Sequence, residues 1–111
     1  MLESEFEDAV ITAAQLGGWR VHAERPARTA HGGWRTAVKG DTGWPDLALA
    51  HPRRGLFVLA ELKSESGRVR PEQRRWLDDL EAAGVTCRVW RPIQLGSVAQ
   101  FLIDPNVRTV P

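Results

Sequence analysis

The sequence predicts an α/β domain, a mixed β-sheet flanked by helices, and three observations indicate this class. The chain has 111 residues, of which 42% are hydrophobic, which is enough for one compact core. Short apolar runs typical of strands alternate with longer stretches of helical periodicity. The resulting order is helix, strand, strand, strand, helix, strand, helix, which is typical of helices packed on a sheet. We therefore predict a single domain over residues 1–111.

The first part of the chain predicts a helix, a strand and a long connection. Residues 2–16 carry apolar side chains at helical spacing, and Gly17 and Gly18 follow as a helix stop. Residues 19–25, WRVHAER, predict the first strand. Residues 26–44 are rich in Gly, Pro, Thr and Arg and predict a long loop or a loose hairpin. A loop of this length in so small a domain is more often functional than idle.

The middle of the chain predicts two paired strands. Residues 46–51 and 56–63 are apolar runs separated by the turn PRRG at 52–55. Because the turn is short, we expect the two strands to be antiparallel neighbours.

The last part of the chain predicts a parallel crossover. Pro71 is placed at the first turn of a helix that runs to about Ala83. A strand over 85–90 should then lie parallel to the strand over 56–63. A final helix over about 95–103 completes the domain.

Charge and cysteine content restrict the class of protein. The formal net charge is +1, so any surface for nucleic acid must come from local clusters of Arg. Cys87 is alone, which excludes an intramolecular disulfide or a cysteine zinc site and suits a reducing cytosol. The N-terminal stretch is acidic and no long apolar run follows it. We therefore expect a cytoplasmic protein with no secretory signal and no membrane span.

The strand end LAELK carries the candidate chemistry. Side chains alternate along a strand, so Glu61 and Lys63 point the same way, about 7 Å apart. In an antiparallel pair the start of one strand lies beside the end of the other, so Asp46 should converge with Glu61. Converging carboxylates are hard oxygen ligands that suit Mg²⁺, and the Leu62 carbonyl is a plausible further ligand. Taken singly, an Asp after Pro or a Glu-x-Lys at a strand end is more often structural than catalytic.

Three segments resemble the VRR-NUC domain, a branch of the PD-(D/E)XK nuclease superfamily. They are GWPDLALAHP, LFVLAELKSESGRVRPEQRRWLDDLEAAGV and VWRP, in which Pro-Asp, Glu-x-Lys and the Gln of PEQ follow in order. The likeness extends from the first helix to the last and implies a restriction-endonuclease-like fold. It also implies that Asp46 and Glu61 bind metal, that Lys63 is the catalytic lysine, and that Gln73 lies near the active site.

Two of these roles have alternatives in the sequence. Gln73 lies on the apolar face of its helix and should be hydrogen-bonded inside, or it merely caps the helix start. The family often has a first-helix glutamate facing the site. Glu3 matches it best, with Glu5 and Glu7 as rivals.

Basic residues near the proposed site are candidates for contacts with the DNA backbone, which set affinity and register but not sequence preference. They are Arg25, Arg28, Arg35, Lys39, Arg68 and Arg70. An ordinary solvated basic loop is the alternative. Most of the five tryptophans are assigned to the core, and Trp34 is the one placed to stack on a base.

The sequence and the resemblance together predict a Mg²⁺-dependent DNA endonuclease, with Mn²⁺ as a substitute ion. The resemblance implies a homodimer that acts on branched DNA such as four-way junctions, in a phage or bacterial setting. One alternative is a nicking, restriction-like or flap nuclease. The other is a module that binds DNA structure without cutting.

Overall fold

The computed structural model describes residues 1–24, 27–28, 34–35 and 38–111, with backbone pairing alone at 27–28 and 34–35. The elements are, in chain order, α1 (Glu3–Leu16), β1 (Arg20–Ala23), β2 (Ala27–Arg28), β3 (Trp34–Arg35), β4 (Leu47–His51), β5 (Leu56–Leu62), α2 (Pro71–Ala82), β6 (Thr86–Trp90) and α3 (Leu95–Ile103). Short 3-10 turns occupy Pro52–Arg54 and Pro92–Gln94. In the described part of the chain no helix is long and apolar enough to cross a membrane.

The central sheet has four strands in the order β1-β4-β5-β6. Strand β4 pairs antiparallel with both β1 and β5, and Leu47 lies opposite Ala60. Strands β5 and β6 are parallel, with Val58 opposite Thr86. The prediction of a mixed sheet flanked by helices is therefore confirmed, and the arrangement is consistent with the restriction-endonuclease-like fold.

A second, two-stranded sheet forms within the long connection after β1. Strands β2 and β3 are antiparallel, with Ala27 opposite Arg35 and Arg28 opposite Trp34. This pairing agrees with the hairpin, one of the two forms predicted for residues 26–44, as far as the described residues extend.

The two faces of the central sheet are covered by different helices. Val58 and Leu62 of β5 belong to the main core with Phe6 of α1 and Phe101 of α3. Leu59 of β5 instead packs with residues of α2 and β6, in a cluster formed by Leu59, Leu77 and Cys87. Because strand side chains alternate, the face that carries Leu59 also carries Glu61 and Lys63. The two charged residues therefore lie on the side covered by α2.

Helix ends account for two differences from the predicted elements. The second helix was predicted to run to about Ala83, but it ends at Ala82 and Ala83 is exposed. Leu2 was included in the predicted helix over residues 2–16, but it precedes α1 and is 67% exposed. Periodicity identifies the face of a helix better than its last residue.

Candidate active site

Asp46 lies immediately before β4, opposite the end of β5. The register of the two strands places it across from Glu61. One carboxylate oxygen of Asp46, Oδ2, accepts a hydrogen bond from the Leu62 backbone N–H at 2.9 Å. This carboxylate takes the place of a backbone carbonyl in the ladder, so its position is fixed by the strand that it meets. The predicted convergence of Asp46 and Glu61 is what the structure has.

Glu61 is a nearly fully buried carboxylate, only 1% exposed. Its Oε1 accepts a hydrogen bond from Gln73 Nε2 at 3.1 Å and lies 3.7 Å from Lys63 Nζ. Its other oxygen, Oε2, is buried and has no hydrogen-bond partner among the described residues. Burial, a hydrogen bond with the Asp46 carboxyl and the Asp46 charge together raise the pKa of Glu61 to about 8, against the opposing effect of Lys63. The half-buried Asp46 and the buried Glu61 thus carry more negative charge than the Lys63 ammonium beside them offsets.

The Lys63 side chain places its ammonium beside the Glu61 carboxylate. Its side chain is only 12% exposed, and its backbone N–H donates to the Trp90 carbonyl at 3.0 Å. This hydrogen bond continues the pairing of β5 with β6 by one residue and holds Lys63 in extended backbone. The alternation of side chains then puts the Lys63 ammonium on the side of Glu61.

Gln73 makes both of the contacts that the sequence left as alternatives. Its side chain is 5% exposed, and its Oε1 accepts a hydrogen bond from the Arg70 N–H at 2.9 Å. That contact caps the start of α2, where Arg70 supplies no side-chain cap of its own. The amide nitrogen of the same side chain donates to Glu61. Gln73 therefore connects the first turn of α2 to the buried carboxylate.

The model of one known family, the VRR-NUC domain, matches residues 20–91 of this chain. The chain belongs to the VRR-NUC domain family. The matched range contains Asp46, Glu61, Lys63 and Gln73, whereas α1 precedes it. No curated protein and no solved structure matches the chain significantly. The family is one of nuclease domains, so this is a nuclease-type, DNA-processing domain.

The first helix of this VRR-NUC domain brings one glutamate near the carboxylate pair. Among its effects on Glu61, the Glu3 charge adds to the raised pKa, after the larger effects of burial and Asp46. Glu5 has a different task, because its Oε1 accepts the Leu2 backbone N–H at 2.7 Å and caps α1. Among the described residues, no three His, Cys, Asp or Glu side chains are close enough together to hold a metal ion. Glu3 is therefore near the site without completing a three-carboxylate cluster.

The candidate DNA-contacting residues of the VRR-NUC domain differ in how much of them the structure describes and in where they lie. Lys39, Arg68 and Arg70 are exposed. Arg70 lines a cleft of about 290 Å³ together with Asp46 and Gln73, and its Nε lies 3.2 Å from Glu72 Oε1. Two candidates, Arg28 and Arg35, lie on the β2–β3 hairpin with side chains outside the described residues, and Arg25 lies outside them altogether.

One residue that sequence reasoning assigned to the core lies at the site instead. Trp44 is 44% exposed and lines the same cleft as Asp46. Its ring centre lies 5.0 Å from that of Trp76, with the two rings at 83°. The available signal was its place two residues before Asp46, in a Gly-containing loop.

Arg91 is a second residue that sequence reasoning missed, and it organises the loop after Lys63. Its Nη1 donates to the carbonyls of Ser64 and Gly67, each at 2.7 Å. These bonds join the end of β6 to the chain that leads from Lys63 to Arg70. Arg91 is the arginine of the VWRP segment that resembles the family, but its task could not be assigned from sequence because its hydrogen-bond partners are more than 20 residues away.

Proposed function

We propose that this VRR-NUC domain is a metal-dependent DNA endonuclease that hydrolyses phosphodiester bonds. The observation that carries the proposal is the convergence of the half-buried Asp46 with the buried Glu61, with Lys63 beside them. A structural ion pair would satisfy its charges. Here, while both carboxyls are ionised, Glu61 keeps a buried oxygen that has no hydrogen-bond partner among the described residues, and burial and Asp46 raise its pKa to about 8. Two adjacent carboxylates of this kind favour the arrival of a cation.

The donor set fits a divalent ion such as Mg²⁺, with Mn²⁺ as a substitute. Asp46 and Glu61 would hold it through carboxylate oxygens. A strand residue points its N–H and C=O to the same side, so the Leu62 carbonyl faces Asp46 as its N–H does. Mg²⁺ commonly takes one or two carboxylates and fills its remaining positions with water and phosphate oxygens, so a third carboxylate is not required. When bound, the ion supplies charge that stabilises the transition state of phosphodiester hydrolysis.

The side chains around the pair have separate tasks in this proposal. The Lys63 ammonium donates hydrogen bonds to the attacking water or to a phosphate oxygen and offsets negative charge that develops there. Its low exposure of 12% strengthens this effect, because few waters screen the charge. Gln73 acts through another residue: its amide holds the orientation of Glu61. It is a positioning residue in this scheme.

We propose branched DNA, such as a four-way junction, as the substrate and a homodimer as the active form. The family resemblance supports both. A two-fold symmetric dimer presents two equivalent sites, which two symmetric nicks across a junction require. With a net charge of +1, the attraction of DNA falls to local groups such as Lys39, Arg68 and Arg70.

The test is cleavage of an end-labelled four-way junction, its separate duplex arms and a flap, with Mg²⁺, with Mn²⁺ and with EDTA. We expect paired nicks in the junction that require the metal. Lys63→Ala should slow them by about 100-fold or more. Arg74→Ala is the matched control, because Arg74 lies on the exposed face of α2 and pairs with Asp78. A Mg²⁺-dependent rise in melting temperature that Asp46→Asn abolishes would report metal binding without relying on cleavage.

Each other outcome leads to a different conclusion. Equal cutting of duplex arms or flap would retain the chemistry and replace the junction as substrate. Tight junction binding that persists in EDTA, with no product from any divalent ion, would overturn the nuclease proposal in favour of a module that binds DNA without cutting.

A further inference from the structure

A cleft opens beside the carboxylate pair, between the chain that leads into β4 and the start of α2. Its volume is about 290 Å³. We name it the Trp44 cleft. Its lining residues are Glu24, Val38, Thr42, Gly43, Trp44, Pro45, Asp46, Arg70 and Gln73. Two of them, Asp46 and Gln73, belong to the site described above, so whatever occupies the cleft lies next to the reacting phosphate.

The walls of the Trp44 cleft differ in chemistry. Val38 and Trp44 are large apolar side chains that remain 49% and 44% exposed. The polar groups of Asp46, Gln73 and Glu24 lie on the same cleft, and the Arg70 guanidinium, which also pairs with Glu72, supplies a cation. An apolar surface beside polar and cationic groups matches a nucleotide, which has a flat base at one end and a phosphate at the other. A purely apolar ligand would leave the polar side unpaired.

Trp44 is held in place by its neighbours along the chain. Gly43 has a φ of +99°, and a Cβ there would lie 2.6 Å from the Glu72 carbonyl carbon. Only glycine permits this close approach of the loop to the start of α2. Pro45, the next residue after Trp44, is buried. The backbone on both sides of Trp44 is therefore fixed.

The ring of Trp44 is also supported from the side. It packs at 83° against Trp76, and the Trp76 indole N–H donates to the Asp41 carbonyl at 3.2 Å. An exposed ring that is already ordered loses little conformational freedom when a flat ligand stacks on it. Such preorganisation distinguishes Trp44 from an apolar side chain that is exposed by chance.

We propose that the Trp44 cleft binds an unpaired nucleobase adjacent to the phosphate that is cut. A branched substrate is then cut preferentially where a nucleotide at the branch point is unpaired, rather than within continuous duplex. A base inside a duplex is already stacked on its neighbours, so only an unpaired or extruded base reaches a protein ring at low cost. This inference rests on the proposed function, because it places the reacting phosphate at Asp46 and Glu61.

The experiment begins by mapping the cut made by the wild-type protein. The two nucleotides that flank the cut are then made paired, unpaired or abasic, one at a time, in otherwise identical DNA. We expect the wild type to cut the unpaired form about tenfold faster than the paired or abasic forms. Trp44→Ala should remove this advantage by slowing the unpaired substrate about tenfold more than the abasic one, and Trp44→Phe should restore most of it.

A matched control and a binding measurement separate failure of this inference from failure of the proposed function. Phe57→Ala removes an aromatic ring of similar exposure, 48%, at the opposite end of β5, and should leave the preference unchanged. In the Lys63→Ala background, with Mg²⁺ present, 2-aminopurine at the flanking position should be quenched on binding. Adding Trp44→Ala should abolish the quenching, and this readout does not need cleavage.

Two results would overturn the inference. One is that Trp44→Ala slows the unpaired and abasic substrates by the same factor while the melting temperature is unchanged. The other is that 2-aminopurine fluorescence is insensitive to Trp44 in a complex that forms normally. A wild type that quenches the probe but cuts nothing would retain the base site and reject the nuclease proposal.

Discussion

The two ends of the β4–β5 hairpin each bury a charged side chain, and they treat it differently. Arg54 lies in the turn that joins the strands and is 8% exposed. Glu61 lies at the open end, beside Asp46, and is 1% exposed. Burying a charge at either position has a large free-energy cost unless partners stabilise it. The comparison shows how burial alone does not distinguish a structural charge from a functional one.

The buried charge of Arg54 is stabilised by hydrogen bonds and aromatic contacts within the protein. It donates to the Phe101 carbonyl at 2.8 Å and to the Val107 carbonyl at 2.6 Å. Its guanidinium carbon also lies 5.3 Å from the Trp19 ring centre and 5.0 Å from that of Phe101. One nitrogen, Nε, has no hydrogen-bond partner among the described residues, but the aromatic faces lie close to the charge. Arg54 thereby ties the C-terminal segment to the sheet.

Glu61 is matched only in part. One of its oxygens meets Gln73 and Lys63, and the other has no hydrogen-bond partner among the described residues while the neighbouring Asp46 is ionised. The neighbouring Asp46 carboxylate repels the Glu61 charge instead of stabilising it. A guanidinium keeps its proton in a protein, whereas a carboxylate in this position takes one up or binds a cation. The difference teaches that incomplete matching of a buried charge, rather than its burial, indicates a binding site.

The largest effect should follow from neutralising Glu61. Glu61→Gln keeps the shape and the contact with Gln73 but removes the charge, so we expect DNA cleavage to fall by at least about 100-fold. Stability measured by urea unfolding at about pH 8 in EDTA should rise instead, because the repulsion with Asp46 is lost. A loss of activity accompanied by a loss of stability would show that Glu61 is matched as Arg54 is.

The opposite pattern is expected for Arg54. Arg54→Met retains much of the packing but leaves the Phe101 and Val107 carbonyls without their donor, so the free energy of unfolding should fall by about 3 kcal/mol. Arg53→Met is the matched control, since Arg53 is the exposed neighbour and its loss should change stability little. Residual folded Arg54→Met protein should cut DNA at the normal rate per folded molecule. A variant as stable as the wild type would contradict the structural role.

The pH dependence of stability separates the two charges further. Burial, followed by Asp46, raises the pKa of Glu61 from 4.5 to about 8, so the folded chain holds this proton more tightly than the unfolded chain does. The resulting stabilisation is fully present below about pH 4.5 and is lost as the pH rises through about 8. In EDTA, urea unfolding of the wild type should therefore lose stability over this range relative to Glu61→Gln. Parallel pH profiles for the two proteins would refute the assignment.

The smallest effect is expected for the residue that connects the carboxylate to its helix. Gln73→Ala removes the cap on the Arg70 N–H and should cost about 1 kcal/mol of stability. It also frees Glu61 to turn, so kcat should fall by about tenfold with little change in KM. Gln73→Glu retains the cap acceptor but adds a carboxylate beside Glu61, and should weaken activity further. Equal activity of all three proteins would leave Gln73 as a helix cap alone.

Local sequence predicted much of the fold and the centre of the site. The short turn between β4 and β5 requires an antiparallel pair, and this pair brings Asp46 to Glu61. Strand alternation then places Lys63 beside them. These relationships hold over fewer than 20 residues of chain, so backbone geometry alone determines them.

The features that sequence reasoning missed depend on distant parts of the chain. Tryptophan is a residue type usually found in the core. Only the position of α2 shows that the Trp44 ring stays exposed over the cleft. Arg54 lies in a turn, where an arginine is usually exposed. It is buried here because its guanidinium donates hydrogen bonds to carbonyls of α3 and of the segment after it. The contribution of Arg91 depends on its hydrogen bonds to the carbonyls of the loop after Lys63, which lie far from it along the chain.

The sequence by itself determined the order of elements, the pairing of the strands and the convergence of the three charged residues, because each follows from neighbouring residues and strand geometry. Only the tertiary structure decided which buried charge has the more complete set of partners and which aromatic ring remains exposed. Those properties depend on what the packing of helices leaves near each atom. That information is spread over the whole chain, and no local pattern of residues carries it.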